Sequence, residues 1–108
     1  MSKYGNKRVT VDGIRFDSIR EANRWQELKL MERAGAVRDL QRQVSFELIP
    51  AQRVGGRQMK PIRYVADFSY LDERGNRIIE DAKGVRTPVY RIKKRMLLWL
   101  YGIEVLET

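Results

Sequence analysis

The stretch IRYVADFSYLDERGNRIIEDAKG, residues 62–84, predicts two β-strands joined by a tight turn. Apolar and polar residues alternate on both sides of the segment DERGN, whose glycine and asparagine favour a turn. If the chain folds there with Leu71 opposite Arg77, antiparallel counting places Asp67 opposite Asp81. Directly opposed side chains lie only about 5 Å apart, so the sequence predicts that two carboxylates face each other.

A hairpin and a helix are predicted before this pair of strands. RVTVDGIRF alternates around Asp12-Gly13, a dipeptide typical of tight hairpin turns. In DSIREANRWQELKLMERAG, Ser18 is a good N-cap and Gly35 supplies the stop signal. The helix should turn one apolar stripe towards the core, formed by Ile19, Ala22, Trp25, Leu28 and Met31.

The remaining segments complete a sheet. VSFELIP predicts a strand closed by Pro50, and RVGGRQMKP predicts a loop or a hairpin tip. TPVYRIKKRMLLWLYG predicts a second helix with Thr87 as its cap and Gly102 at its end, followed by a strand in IEVLE. The second helix should bury an apolar side made of Val89, Ile92, Met96, Trp99 and Leu100.

This order of elements predicts a mixed α/β or α+β fold. A short hairpin precedes a helix, three antiparallel strands, a second helix and a last strand that returns parallel through a right-handed crossover. The length suits one domain over residues 1–108. Residues 1–8 are predicted to form either a mobile basic arm or a disordered tail.

The composition limits the chemistry open to the chain. Cysteine and histidine are both absent, which excludes disulfides, zinc–thiolate sites and every mechanism with a histidine base. No apolar run is long enough to span a bilayer, and MSKYGNKRV lacks the apolar centre of a signal peptide. We therefore expect a cytosolic protein without membrane association, whose catalysis would use carboxylates, lysines, tyrosines and hard metal ions.

The charge predicts a polyanionic partner, with nucleic acid the first candidate. There are 22 lysines and arginines against 14 acids, a net charge of +8. Residues 48–66 and 84–103 are basic without a single acid. The alternatives are a basic surface that only aids solubility and one that is attracted to a membrane. The side chains expected to contact nucleic acid are Arg53, Arg57, Lys60, Arg86, Arg91, Lys94 and Arg95.

Asp67, Asp81 and Lys83 form the predicted site. Asp81 and Lys83 are two residues apart in a strand, so their side chains share a face. Opposed carboxylates repel unless a cation lies between them, and their oxygens suit Mg²⁺, which keeps waters and accepts phosphate oxygens. Lys83 would orient a water or neutralise charge developing on a phosphate. These groups are the minimum for phosphodiester hydrolysis without histidine.

YVADF followed by IIEDAKG resembles the motif of the PD-(D/E)XK nuclease superfamily. Asp67 corresponds to the first acid, and Asp81 and Lys83 to the D-x-K element. FDSIREANRW is similar to the helix in which junction-resolving and transposon-end nucleases carry an early glutamate, here Glu21. The resemblance implies a restriction-endonuclease-like core and a Mg²⁺- or Mn²⁺-dependent DNA endonuclease. Asp67, Asp81 and Glu21 would bind the metal, and Lys83 would act on the water.

The chain departs from that motif at two positions. Ala66 stands where a proline often precedes the first acid, and Asp81 stands where glutamate is common. Glu80 beside it should face the other side of the strand, so strand parity favours Asp81 as the ligand.

The whole chain resembles small phage- and prophage-associated proteins of this superfamily. Backbone charge reads the shape of DNA rather than its bases, which favours a structure-selective enzyme. The leading expectation is a Holliday-junction-resolvase-like homodimer that acts on branched DNA in recombination or replication, in the bacterial cytoplasm and without a small-molecule cofactor. The alternatives are a non-catalytic nucleic-acid-binding protein, and an accessory subunit that retains the fold.

Three of the site residues have structural alternatives. Glu21 lies three residues after Ser18, so its carboxylate could serve a capping box instead of a metal. Asp67 could be a surface acid paired with Lys60 or Arg63. Lys83 could have no catalytic role and serve only to balance the charges of the two acids.

Overall fold

The computed structural model describes residues 8–108, so residues 1–7 of the predicted basic arm lie outside the described part of the chain. In chain order the elements are β1 (Val9–Val11), β2 (Ile14–Phe16), α1 (Ile19–Arg33), β3 (Arg38–Ile49), β4 (Gln52–Val54), β5 (Arg57–Met59), β6 (Ile62–Leu71), β7 (Arg77–Asp81), α2 (Pro88–Tyr101) and β8 (Leu106–Glu107).

A four-stranded sheet has the order β3-β6-β7-β8. The β3–β6 and β6–β7 pairs are antiparallel, and the β7–β8 pair is parallel. The predicted register is confirmed, because Leu71 lies opposite Arg77 and Ser69 opposite Ile79. The fold is therefore mixed α+β, with the predicted parallel return after the second helix.

The hairpin at the start of the described chain forms where the sequence predicts it. β1 and β2 pair antiparallel, from Val11 opposite Ile14 to Val9 opposite Phe16. The turn residues Asp12 and Gly13 both have positive φ angles, 52° and 77°. A turn with two left-handed residues matches the right-handed twist of the strands.

Both helices begin and end at the predicted signals. The side-chain oxygens of Ser18 and Thr87 each accept a hydrogen bond of 3.1 Å from the backbone N–H three residues later. Gly35 and Gly102 follow the two helices with φ angles of 81° and 69°, which a glycine adopts without steric cost.

The middle of α1 packs onto the sheet. Ala22, Trp25 and Leu28 are buried as predicted. Ile19 and Met31, at the two ends of the predicted stripe, are 48% and 36% exposed. The prediction was wrong for these two because the buried part of the helix runs only from Glu21 to Leu28.

The buried side of α2 differs from the prediction. Leu97 is the buried residue of this helix. Of the predicted side, Met96 is partly buried and packs against the core, whereas the other four residues are exposed. The helix is apolar around most of its circumference, so periodicity alone did not select the side that meets the sheet. The exposed fractions on the outward side are 61% for Val89, 61% for Ile92, 86% for Trp99 and 49% for Leu100.

Neither helix within residues 8–108 is long and apolar enough to cross a membrane.

Two apolar clusters meet along β6. The first is formed by α1 with the hairpin and the sheet: Phe16, Ala22, Trp25, Leu28, Val37, Phe68 and Tyr70. The second is formed by α2 with the sheet: Leu48, Tyr64, Ala66, Ile79, Leu97 and Val105. Asp67 lies in the chain between Ala66 of the second cluster and Phe68 of the first. An acid is thus held at the boundary of the two cores.

Candidate functional site

The two neighbouring acids at the end of β7 have different surroundings. Glu80 is fully buried and receives two hydrogen bonds from Arg24 of α1, at 2.7 Å from Nε and 2.9 Å from Nη2. The hydroxyls of Tyr70 and Thr108 also donate to it, at 2.6 and 3.1 Å. A buried carboxylate with a bidentate arginine has its own counter-ion, so Glu80 joins the helix to the sheet.

Asp81 is also fully buried, but its hydrogen-bond donors are neutral. Its Oδ1 accepts the backbone N–H of Asp67 at 2.8 Å, and its Oδ2 accepts the hydroxyl of Tyr64. Burial raises the pKa of Asp81, and the hydrogen bond from Tyr64 opposes that rise. Unlike Glu80, Asp81 has no arginine partner among residues 8–108. The structure therefore separates the two acids in the way that strand parity predicts.

Asp67 lies beside Asp81, as the register predicts. The β6–β7 ladder ends at Phe68 opposite Glu80, one pair before the two aspartates. Each aspartate then bonds to the other strand's backbone, since Oδ2 of Asp67 accepts the N–H of Ala82 at 3.0 Å. Asp67 is thus held by the end of β7, and among the described residues it forms no salt bridge with Lys60 or Arg63.

Charge repulsion is built into this pair. Burial raises the pKa of Asp67 to about 7, and the charges of Asp81 and Glu21 add to the rise. The positive charge of Lys83 acts in the opposite direction on all three carboxyl groups. The four residues that the sequence analysis selected therefore lie within electrostatic reach of one another.

Glu21 approaches from the first turn of α1. It is 5% exposed, and its Oε2 lies 3.4 Å from Nε2 of Gln43 and 3.6 Å from Nη2 of Arg42. Burial raises its pKa. The backbone N–H of Glu21 donates to Ser18, which confirms the cap, while its carboxylate is directed to β3. Half of the predicted capping box therefore forms, and the carboxylate is left facing the site.

The site opens into a pocket of about 250 Å³. Glu21, Asp67 and Lys83 line it, with Arg20 and Thr87 at its wall. Asp81 lies behind this surface, fully buried. Lys83 is half-buried and its Nζ lies 4.7 Å from the ring centroid of Tyr90, which holds the ammonium group at the edge of the pocket.

The carboxylates of Asp67, Asp81 and Glu21 are chemically suited to bind a divalent cation. Two adjacent carboxylates with a third in reach are hard oxygen donors, the kind that Mg²⁺ and Mn²⁺ prefer. Within the described residues, however, no three acidic side chains converge tightly enough to form a ready-made ligand group. Asp67 and Asp81 would be the first ligands, and Glu21, which also lines the pocket, would be the third.

Sequence reasoning did not identify Tyr64, Arg42 and Gln43 as parts of the site. Gln43 has a φ of 53°, unusual for a residue with a side chain, and lies between the pairs Arg42–Phe68 and Val44–Ala66. By counting, it is opposite Asp67. Such irregular strand positions are over-represented beside active sites. A long-range hydroxyl such as that of Tyr64 gives no local pattern that a sequence can show.

The predicted nucleic-acid contacts separate into three groups. Arg53, Arg57 and Lys60 are exposed on the hairpin formed by β4 and β5 and just after it. Arg91 and Arg95 are exposed on α2. Arg86 and Lys94 are engaged by one acid instead, at 3.0 and 3.3 Å from the carboxylate of Glu107.

The fold and the pocket together define a small mixed α+β protein with an acidic site in a basic surface. Residues 1–104 match the model of the family described as "Protein of unknown function (DUF1064)", and the chain belongs to that family. No curated protein and no solved structure matches the chain. The description of the family names no activity, and the site is therefore the basis for a functional proposal.

Proposed function

We propose that this chain is a metal-dependent DNA endonuclease with a restriction-endonuclease-like core of the PD-(D/E)XK type. The observation that carries the proposal is the convergence of Asp67 on Asp81, without an arginine partner, beside Lys83 and Glu21. Burying two carboxylates together is costly unless a cation or a proton joins them. A structural role would be served better by the arrangement at Glu80, which has Arg24.

Each residue has a distinct task in the proposed reaction. A bound Mg²⁺ or Mn²⁺ would supply Lewis acidity towards the scissile phosphate and its attacking water. Asp67 and Asp81 hold the cation, and Tyr64 keeps Asp81 oriented through its hydroxyl. Lys83 lies at the edge of the pocket, two residues after β7, and balances negative charge that develops on the phosphate.

The proposed substrate is DNA with a branched structure. The acid-free basic segments and the net charge of +8 favour contact with the phosphate backbone. No separate recognition domain accompanies the pocket in the described residues, which favours recognition of shape over recognition of sequence. A four-way junction is the leading substrate, in phage recombination or replication, and the proposed compartment is the host cytoplasm.

Symmetric cleavage of a four-way junction needs two sites, so the proposal includes a homodimer. The outward side of α2 is the candidate interface, because Val89, Ile92 and Trp99 are exposed there without a partner in the described chain. Trp99→Ser should shift the protein to a monomer in sedimentation equilibrium while its circular dichroism stays unchanged. A parent protein that is monomeric at every concentration would refute the dimer.

A second candidate is a non-catalytic nucleic-acid-binding protein that keeps the nuclease fold. The observation in its favour is the burial of Asp81, whose two oxygens are already hydrogen-bonded. An accessory subunit, active only beside a partner protein, would show the same behaviour in isolation.

One experiment distinguishes a nuclease that acts alone from the other two candidates. Purified protein is incubated with linear, nicked, flapped and four-way DNA in Mg²⁺, in Mn²⁺ and in chelator. Asp67→Asn should abolish cleavage and leave binding intact, and Glu73→Gln, an exposed acid in the β6–β7 turn, is the matched control. Binding without cleavage by the parent on every substrate would reject a nuclease that acts alone and support a binding protein or an accessory subunit.

A further inference from the structure

The connection between β3 and β6 contains a separate two-stranded ribbon. Ile49 lies opposite Ile62 in the sheet, and beyond it Gln52 lies opposite Met59 in the ribbon of β4 and β5. The same count places Pro50 opposite Pro61. Proline has no N–H to give to a ladder, so two opposed prolines interrupt the pairing on both strands at one level. The ribbon, residues 52–59, is thus joined to the sheet by a double break.

The ribbon takes no part in the core. All residues of β4 and β5 are exposed, and none belongs to either apolar cluster of the described chain. At its tip Gly55 and Gly56 have φ angles of 55° and 75°, as a tight hairpin turn requires, and a Cβ at either would meet nothing within 4 Å. The radius of gyration is 15.8 Å, against about 13 Å for a compact chain of this length. The ribbon therefore stands out from the body.

The ribbon is positively charged and its charges are not used in folding. Arg53 and Arg57 lie on it, Lys60 follows it, and residues 48–66 contain no acid. Within the described chain neither arginine makes a salt bridge; the seven pairs involve other residues. An exposed arm of this kind contributes little to stability, so we infer that its positive charge binds a partner outside the chain.

The two arginines project in opposite directions. Arg53 is opposite Gln58, and Arg57 is opposite Val54 in the next pair. Adjacent pairs of a ribbon place their side chains on alternate faces, so one arginine emerges on each face. A two-stranded ribbon enters the major groove of duplex DNA, which is about 12 Å wide and is walled on both sides by phosphates. Five residues from the prolines to the tip reach about 17 Å, enough to cross that wall.

We propose that residues 52–59 form an arm that enters a groove of duplex DNA, where Arg53 contacts the phosphates of one wall and Arg57 those of the other. This inference rests on the proposed function only in taking DNA as the polyanion. It does not depend on cleavage. The double proline break lets the arm follow the duplex while the sheet holds the pocket.

The test measures binding of a linear duplex by fluorescence anisotropy in chelator, over a series of salt concentrations. Arg53→Gln/Arg57→Gln should weaken binding and reduce the slope of log K against log salt by about 1.8, since two phosphate contacts are lost. Arg33→Gln/Arg74→Gln removes the same charge from two exposed sites away from the ribbon and should leave the slope nearly unchanged. Arg53→Lys/Arg57→Lys should restore the slope, because a lysine also neutralises a phosphate.

The outcomes separate this inference from the proposed function. A parent that binds duplex but never cleaves, with the loss confined to the ribbon variant, rejects the nuclease and supports the arm. Equal losses in the ribbon and control variants reject the arm even if the protein cleaves DNA. A glutamine variant of the ribbon with the parent's salt slope also rejects the arm. If Arg53→Lys/Arg57→Lys does not restore the slope, contact of these residues with phosphates is rejected.

Discussion

Replacement of Asp67 by asparagine should stabilise the metal-free protein at pH 8. Asparagine keeps the shape of the side chain and the oxygen that accepts the N–H of Ala82, but it removes the charge. In the parent, that charge is buried beside Asp81 and Glu21. The perturbation therefore tests the electrostatic cost of the site without a measurement of activity.

The magnitude follows from the pKa of Asp67. The folded state raises it from 3.8 to about 7, so the folded protein binds the proton more tightly than the unfolded chain. The cost is absent below the unfolded value and grows as the pH rises from about 4 to about 7. At 1.36 kcal/mol per pH unit the ceiling is about 4 kcal/mol, and we expect about 2 kcal/mol because Asp81 shares the interaction and neighbouring groups relax.

The assay is urea denaturation of the parent and of Asp67→Asn at pH 5 and pH 8, in chelator and in saturating Mg²⁺. In chelator the stability advantage of Asp67→Asn should be larger at pH 8 than at pH 5. Mg²⁺ should stabilise the parent at pH 8 and have little effect on the variant. A variant that is no more stable than the parent at pH 8, with the same response to Mg²⁺, would refute the idea that Asp67 belongs to a charged cation site.

Three further predictions concern the groups around the site. Arg24→Met should cost about 3–5 kcal/mol in urea denaturation by leaving Glu80 buried without its partner, and Arg24→Met/Glu80→Met should recover most of that loss; a double variant as unstable as the single one would contradict this. Leu97→Ala should cost about 2–5 kcal/mol, whereas Leu98→Ala at an exposed position should cost less than about 0.5 kcal/mol, so equal losses would show that α2 packs differently. Hydrogen bonds lower the pKa of Glu107 to about 2, so the stability that its carboxylate contributes is present above the ordinary pKa of 4.5 and is lost as the pH falls towards 2. The thermal midpoints of the parent and of Glu107→Gln should converge over that range. A constant gap between the two midpoints would refute this prediction.

The register of β6 and β7 could be predicted from sequence because strong local signals determine it. The turn fixes Leu71 opposite Arg77, and the alternation of side chains then determines which residues meet for the rest of the strand. Helix caps such as Ser18 and Thr87 are equally local, since the side chain bonds a backbone group three residues away. Such features need no knowledge of tertiary packing.

Other features depend on contacts that are remote in the chain. The hydroxyl of Tyr64 reaches Asp81 across 17 residues, and Gln43 reaches Glu21 across 22. The face of α2 that packs on the sheet is chosen by the shape of the sheet, so a helix with apolar residues on most sides gives no single answer. Trp99 therefore looked like a core residue and is 86% exposed.

The pair Glu80 and Asp81 has a consequence for anyone who compares this chain with its relatives. Arg24 stands about one helical turn after Glu21, so α1 supplies both the partner of Glu80 and an acid that lines the pocket with Asp67. A shift of the strand by one position would exchange the two acids and leave the arginine against the wrong one. In relatives whose motif carries two consecutive acids, an arginine three residues after the helix glutamate should therefore identify the acid that it pairs with as structural. Replacement of the other acid should disrupt the pocket.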